Sequence, residues 1–149
     1  MCVSRLLYGL SSAWLNVADV RRLNGFHCRC LRVIMRIQPA YFSRISNKKV
    51  LEESGQKPMD RQLLKQQMVL YGRVARLPSS DPLRLLTFVP GGMEPATSQY
   101  IRRVGRPRNE WSTMLQKECF KMSASFAECI NDEQEWKRAV HTYISQPCI

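Results

Sequence analysis

Acidic side chains are scarce in this sequence. Twelve Asp and Glu stand against 23 Lys and Arg in 149 residues, a formal net charge of +11 with a pI near 9.8. Long apolar runs are missing too: no stretch of about 18 residues could serve as a membrane-spanning helix. Six cysteines at irregular spacing are too sparse for a secreted disulfide scaffold. A leader peptide is disfavoured because Gly9, Ser11 and Ser12 interrupt the apolar patch after Arg5, and no small-residue cleavage site follows.

The chemistry-bearing patterns are equally thin. There is no Gly-x-Ser-x-Gly, no phosphate-cradling glycine loop and no His-Glu-x-x-His. Glu52 and Glu53 are adjacent, so on a helix they diverge by about 100° and make a poor two-metal pair. His27, Cys28 and Cys30 lie close together, and Cys119, Cys129, His141 and Cys148 could supply four ligands on paper. Neither set has zinc spacing, and buried small hydrophobes explain the cysteines better. Both histidines sit at helical spacing within apolar stripes, where a core or boundary role is the common one. The expectation is a non-catalytic chain with no metal and no cofactor.

What remains is a basic chain with enough apolar residues, 44%, to build a core. The charge is concentrated: residues 1–50 carry nine basic side chains and one acid, residues 51–110 ten and six, residues 111–149 four and five. Arginine outnumbers lysine 16 to 7, and its planar fork of donors suits phosphate better than a hydrated ammonium does. An Arg-rich region beside a neutral tail is the pattern of a soluble polyanion binder.

Helical periodicity dominates the chain. Asn16 and Asp19 mark a helix start, and Val20, Leu23, His27, Cys30, Leu31, Ile34 and Ile37 define an apolar face, with Pro39 as the stop. Across from it, Arg22, Arg29 and Arg36 repeat every seven residues as a stripe, with Arg32 close by. Asn47 is placed to cap a short helix that Gly55 ends, and Pro58 opens the next, which carries Leu63, Leu64, Met68, Leu70, Tyr71, Val74 and Leu77. Ser80-Asp81-Pro82 begins a short helix. Residues 89–107 hold Pro90, Gly91, Gly92, Pro95, Gly105 and Pro107, a long loop or poorly formed hairpin ending in the basic cluster Arg102, Arg103, Arg106 and Arg108. Helices from Trp111 to about Lys121 and from Asn131-Asp132-Glu133 to Pro147 complete the chain. The prediction is all-α, with five to six helices: a basic helical region over 1–88, a loop or linker over 89–107 and a C-terminal helical pair over 108–149. Tyr41, Phe42, Tyr100 and Trp111 flank the two arginine groups and could stack on bases, although the core is the better place for Trp111. No base-reading pattern is present, so backbone-dominated, salt-sensitive binding is expected.

The order of several short motifs resembles the region that follows the catalytic domain in reverse transcriptases of non-LTR (LINE-type) retrotransposons. The landmarks are Leu7-Tyr8-Gly9 with Trp14, and Phe26 followed by Cys30-Leu31-Arg32. Next come Ser43-Arg44-Ile45-Ser46-Asn47 with Val50-Leu51, and Gly72-Arg73-Val74-Ala75-Arg76. Gly105-Arg106-Pro107-Arg108 with Trp111, and Trp136-Lys137-Arg138, close the series. Arg73 stands where the family commonly has His, and Trp14 comes one residue later than usual. The resemblance implies a helical thumb and the segment behind it, downstream of a palm that carries the catalytic aspartates of an RNA-directed DNA polymerase. Such a segment would hold template–primer RNA, DNA or RNA–DNA hybrid by its backbone, largely without regard to sequence, against upstream domains, in an intracellular and plausibly nuclear setting. Arg44, Arg73 and Arg76, within the landmarks, join the candidate contacts. The alternative is a small helical protein–protein interaction module without a nucleic-acid role, presenting apolar surface around Leu63–Leu77 and Trp136–Ile144.

Overall fold

The computed structural model describes residues 6–96, 110–123 and 125–146. The loop arginines Arg102, Arg103, Arg106 and Arg108, with Tyr100, lie outside these residues, as does Cys148. The fold is all-α. Eight α-helices occur among the described residues: α1 (Val17–Ile34), α2 (Ala40–Ser43), α3 (Asn47–Ser54), α4 (Met59–Ala75), α5 (Pro82–Thr87), α6 (Trp111–Met122), α7 (Phe126–Cys129) and α8 (Glu133–Ser145). That count is slightly above the five to six expected, and six of the eight span six residues or more. The other two, α2 and α7, are single turns too short to leave a repeating apolar signal.

Helix ends follow local chemistry. The Asn16 side chain accepts from Asp19 N–H at 2.8 Å, and Asp132 accepts from Gln134 N–H at 2.7 Å. Asp81 caps α5 with Pro82 in the first turn. Gly55 closes α3 in the left-handed region at φ 63°, as expected. Two ends differ from the sequence reading. Ser46, not Asn47, caps α3 by accepting from Lys49 N–H at 3.2 Å. And α1 stops at Ile34, before Pro39 is reached. There Arg36 takes the left-handed conformation at φ 56°, Ile37 N–H bonds Arg32 C=O at 2.9 Å and Arg36 N–H bonds Val33 C=O at 3.3 Å. That is a Schellman closure with arginine where glycine is usual.

The chain forms two compact units, residues 15–63 and residues 1–14 with 64–149. Residues 89–96, within the stretch expected as a long loop or poorly formed hairpin, turn back on themselves in hairpin fashion. Phe88 and Pro95 form an isolated antiparallel bridge, Val89 N–H bonds Glu94 C=O at 2.8 Å, and Phe88 and Ala96 are buried.

The larger unit is built on Met68, Tyr71, Leu115, Cys119, Trp136 and Val140, all fully buried. Each large apolar side chain so enclosed contributes roughly 1.5–3 kcal/mol relative to exposure. Trp136 is the central piece: its Nε1 donates to Met68 C=O at 2.9 Å. A Cβ on Gly72 would lie 2.2 Å from that same Nε1, so only glycine lets α4 approach the indole. Trp111 packs against this core and donates to Ser11 C=O at 2.7 Å. Gln67, also buried, donates to Ala13 C=O at 2.5 Å.

The smaller unit has fewer apolar residues and relies on polar ones. Helix α1 packs on α3, burying Leu23, His27, Cys28 and Leu31, with Val50 wholly enclosed. Asn24, in mid-helix, accepts from Met59 N–H at 2.9 Å and Asp60 N–H at 3.3 Å. It thereby caps the start of α4 from 35 residues away in sequence.

Candidate nucleic-acid interface

The packed face of α1 keeps Leu23, His27 and Leu31 of the expected stripe and is turned toward Cys28 and Arg32. Cys28 and Arg32 are buried, whereas Cys30 is half-exposed and Ile34 is 75% exposed. The reason is polar: the rotation brings Asn24 to the start of α4 and Arg32 to the 38–47 segment, where backbone groups need partners.

Arg32 is the one candidate contact that this packing removes. It is 5% exposed, and its guanidinium donates to Ile45 C=O at 2.6 Å, Asn47 Oδ1 at 3.1 Å, and Gln38 C=O and Ser43 Oγ, each at 3.4 Å. It lies about 60° around the helix from Arg29, enough to turn it from solvent to core. Arg32 is therefore a clamp on the turn after α1 and is not a phosphate contact. Asn47, expected as a cap, serves this clamp instead.

Arg22 and Arg29 behave as the seven-residue repeat predicts. They are exposed and lie diametrically opposite the buried arc of Leu23, His27 and Leu31. Arg22 pairs with Asp19 at 3.4 Å, an exposed contact of little energetic weight. Arg36 and Arg44 are also exposed, both in left-handed backbone. Exposed apolar groups accompany them. Phe26 (44%) and Val33 (79%) alternate with Arg22 and Arg29 along α1, and Tyr41 and Phe42 meet edge-to-face at 4.8 Å. Tyr41 and Phe42 are expected as stacking groups, whereas Phe26 stands in the sequence only as a landmark of the resemblance, although its three- and four-residue spacing to Arg29 and Arg22 places it beside them.

In the larger unit Arg73 is exposed, while Arg76 is half-buried and donates to Ile130 C=O at 2.9 Å. Arg76 is thus partly committed to the fold. The apolar surface on which an interaction module would depend is enclosed: Met68, Tyr71, Val74, Trp136, Val140 and Ile144 belong to the core. Of the histidines, His27 is buried with Nδ1 unpartnered among the described residues, and burial lowers its pKa. His141 is exposed rather than part of an apolar stripe.

No cluster of three or more His, Cys, Asp or Glu placed to hold a metal occurs among the described residues. Cys28 and Cys119 are buried thiols whose pKa is raised by desolvation, that of Cys119 to about 12. Likewise no described helix is long and apolar enough to cross a membrane. No protein-family model, curated protein or solved structure matches this chain.

Proposed function

We propose that the chain is a non-catalytic holding segment for nucleic acid, of the kind found behind the palm in non-LTR retrotransposon reverse transcriptases, gripping template–primer RNA–DNA hybrid through its phosphates. The observation that carries this reading is the exposed Arg22 and Arg29 face of α1, opposite a packed core and clamped at its end by Arg32. Backbone recognition needs such a rigid, Arg-bearing surface rather than a base code. The motif resemblance supports it further, since its landmarks occupy fold-determining positions. Arg32 joins the Ser43–Asn47 landmark, and Gly72 receives Trp136.

Anisotropy titrations of a labelled RNA–DNA hybrid between 50 and 200 mM salt test the reading. Affinity should fall steeply with salt, the log–log slope flattening by about 0.9 for each duplex phosphate contact removed. Arg22→Gln with Arg29→Gln should weaken binding without lowering the melting temperature. Arg36→Gly removes a charge while relieving left-handed backbone, so it should weaken binding while the fold gains up to about 1 kcal/mol. Absence of binding at low salt, or a flat salt response, overturns the proposal.

The exposed Phe26, Val33 and Ile34 favour a second reading, a protein-contact face on α1. Light scattering that shows self-association persisting at high salt, with no hybrid binding, would support it instead.

A further inference from the structure

Helices α4 and α8 enclose a shallow open groove of about 570 Å³ in the larger unit. Its lining includes Lys65 and Val69 from α4, and Lys137, Arg138, His141 and Thr142 from α8. Three cationic side chains line it, and among the described residues no carboxylate does. This concentration is local. Outside Arg5 and the arginines of 102–108, the larger unit carries eight basic and eight acidic side chains, so chance would mix the signs.

One acid of α8 is already engaged. Glu133 pairs with Lys137 across one turn of α8, and its carboxyl is held below the usual range by that hydrogen bond and by the fields of Lys137, Arg76 and Arg73. Neither Lys65 nor Arg138 has an ion-pair partner among the described residues. The α8 wall from Lys137 to Thr142 spans roughly 8 Å of helix rise, about two base steps of a duplex. Thr142 and His141 add neutral hydrogen-bonding capacity beside the cations.

We propose that this groove is a second phosphodiester-backbone site, separate from the α1 arginine face and centred on Lys65 and Arg138. It rests on the nucleic-acid reading above and extends it: each unit carries a charged surface of its own for a phosphodiester backbone. Lys137 and Arg138 fall within the Trp136-Lys137-Arg138 landmark, but neither they nor Lys65 belongs to the arginine stripe or the loop cluster from which binding was expected.

The test is the salt-dependent titration of the labelled hybrid with Lys65→Gln/Arg138→Gln in the full chain. Two lost phosphate contacts should flatten the log–log slope by about 1.8 and weaken binding several-fold at 50 mM salt. Lys65→Arg/Arg138→Lys, which keeps the charges, should restore both, and the melting temperatures of all variants should agree because the two side chains are exposed. Wild-type affinity and slope in Lys65→Gln/Arg138→Gln, with binding weakened in Arg22→Gln/Arg29→Gln, overturn the groove and leave the α1 reading intact. Failure of the wild-type chain to bind at low salt defeats both. Groove-dependent binding to anionic phospholipid vesicles, without groove dependence on the hybrid, also overturns the proposal.

Discussion

The two units of this chain hold themselves together by different means. Residues 15–63 carry ten basic and four acidic side chains. Their geometry depends on two polar residues of one helix: Asn24 in its middle, which caps α4, and Arg32 in its last turn, which ties down the segment from Gln38 to Asn47. The larger unit is locked instead by close apolar packing, with Trp136 seated over Gly72 and aromatic contacts from Tyr71 to Phe88 and Trp111. A small basic unit has too little apolar material to specify a turn by burial alone. A buried guanidinium with four neutral acceptors does so, at the expense of one arginine withdrawn from the binding face.

That contrast can be broken at its two locks. The largest effect belongs to Gly72→Ala. Its new methyl would lie within 2.8 Å of three atoms of the rigid, fully buried Trp136 indole, and a loss of about 3 kcal/mol in chemical denaturation is expected. Adding Trp136→Phe should recover part of the loss, since it removes the nitrogen that the methyl strikes. Additive losses in the double variant would show that the contact is not the lock.

Arg32→Lys comes next. The charge is kept, but an ammonium cannot span four separated acceptors, so about 2 kcal/mol should be lost from the fold. Arg29→Lys, three residues away on the exposed face, should change stability by less than about 0.5 kcal/mol. Equal effects at the two positions would erase the distinction between clamp and contact.

The smallest effect is a pH slope from the smaller unit. Burial lowers the pKa of His27, so the unfolded chain takes up its proton first as pH falls. Stability is therefore fully present above the ordinary histidine value near 6.5 and declines as pH drops through the lowered folded value. Denaturation midpoints at pH 8, 6 and 5 should show this decline in the native chain and a shallower one in His27→Gln. Identical slopes would mean that His27 titrates alike in both states.

Much of the fold is legible in the sequence, and for local reasons. Asn16, Gly55, Asp81-Pro82 and Asp132 act at helix ends through contacts spanning a few residues, so position alone reveals them. Arg22 and Arg29 are likewise read from helical period. The apolar seam of α1 is legible at Leu23, His27 and Leu31 but not where it departs from the stripe, because periodicity counts apolar residues. Here Asn24 and Arg32 face inward for partners 36 and up to 15 residues away, while the apolar Ile34 is left outside. The groove of Lys65 and Arg138 escaped notice for a similar reason, since its walls come from helices more than sixty residues apart.

The amino-acid sequence by itself determined an all-helical chain of strong positive charge, because capping, turn residues and helical period are properties of neighbouring residues. Only the tertiary structure decided which cations are available. Burial turned Arg32 into part of the frame, a hydrogen bond to Ile130 drew in Arg76, and the approach of α8 to α4 gathered Lys65, Lys137 and Arg138 into one groove. Charge is written residue by residue, but its exposure depends on what the rest of the chain must satisfy once water is excluded.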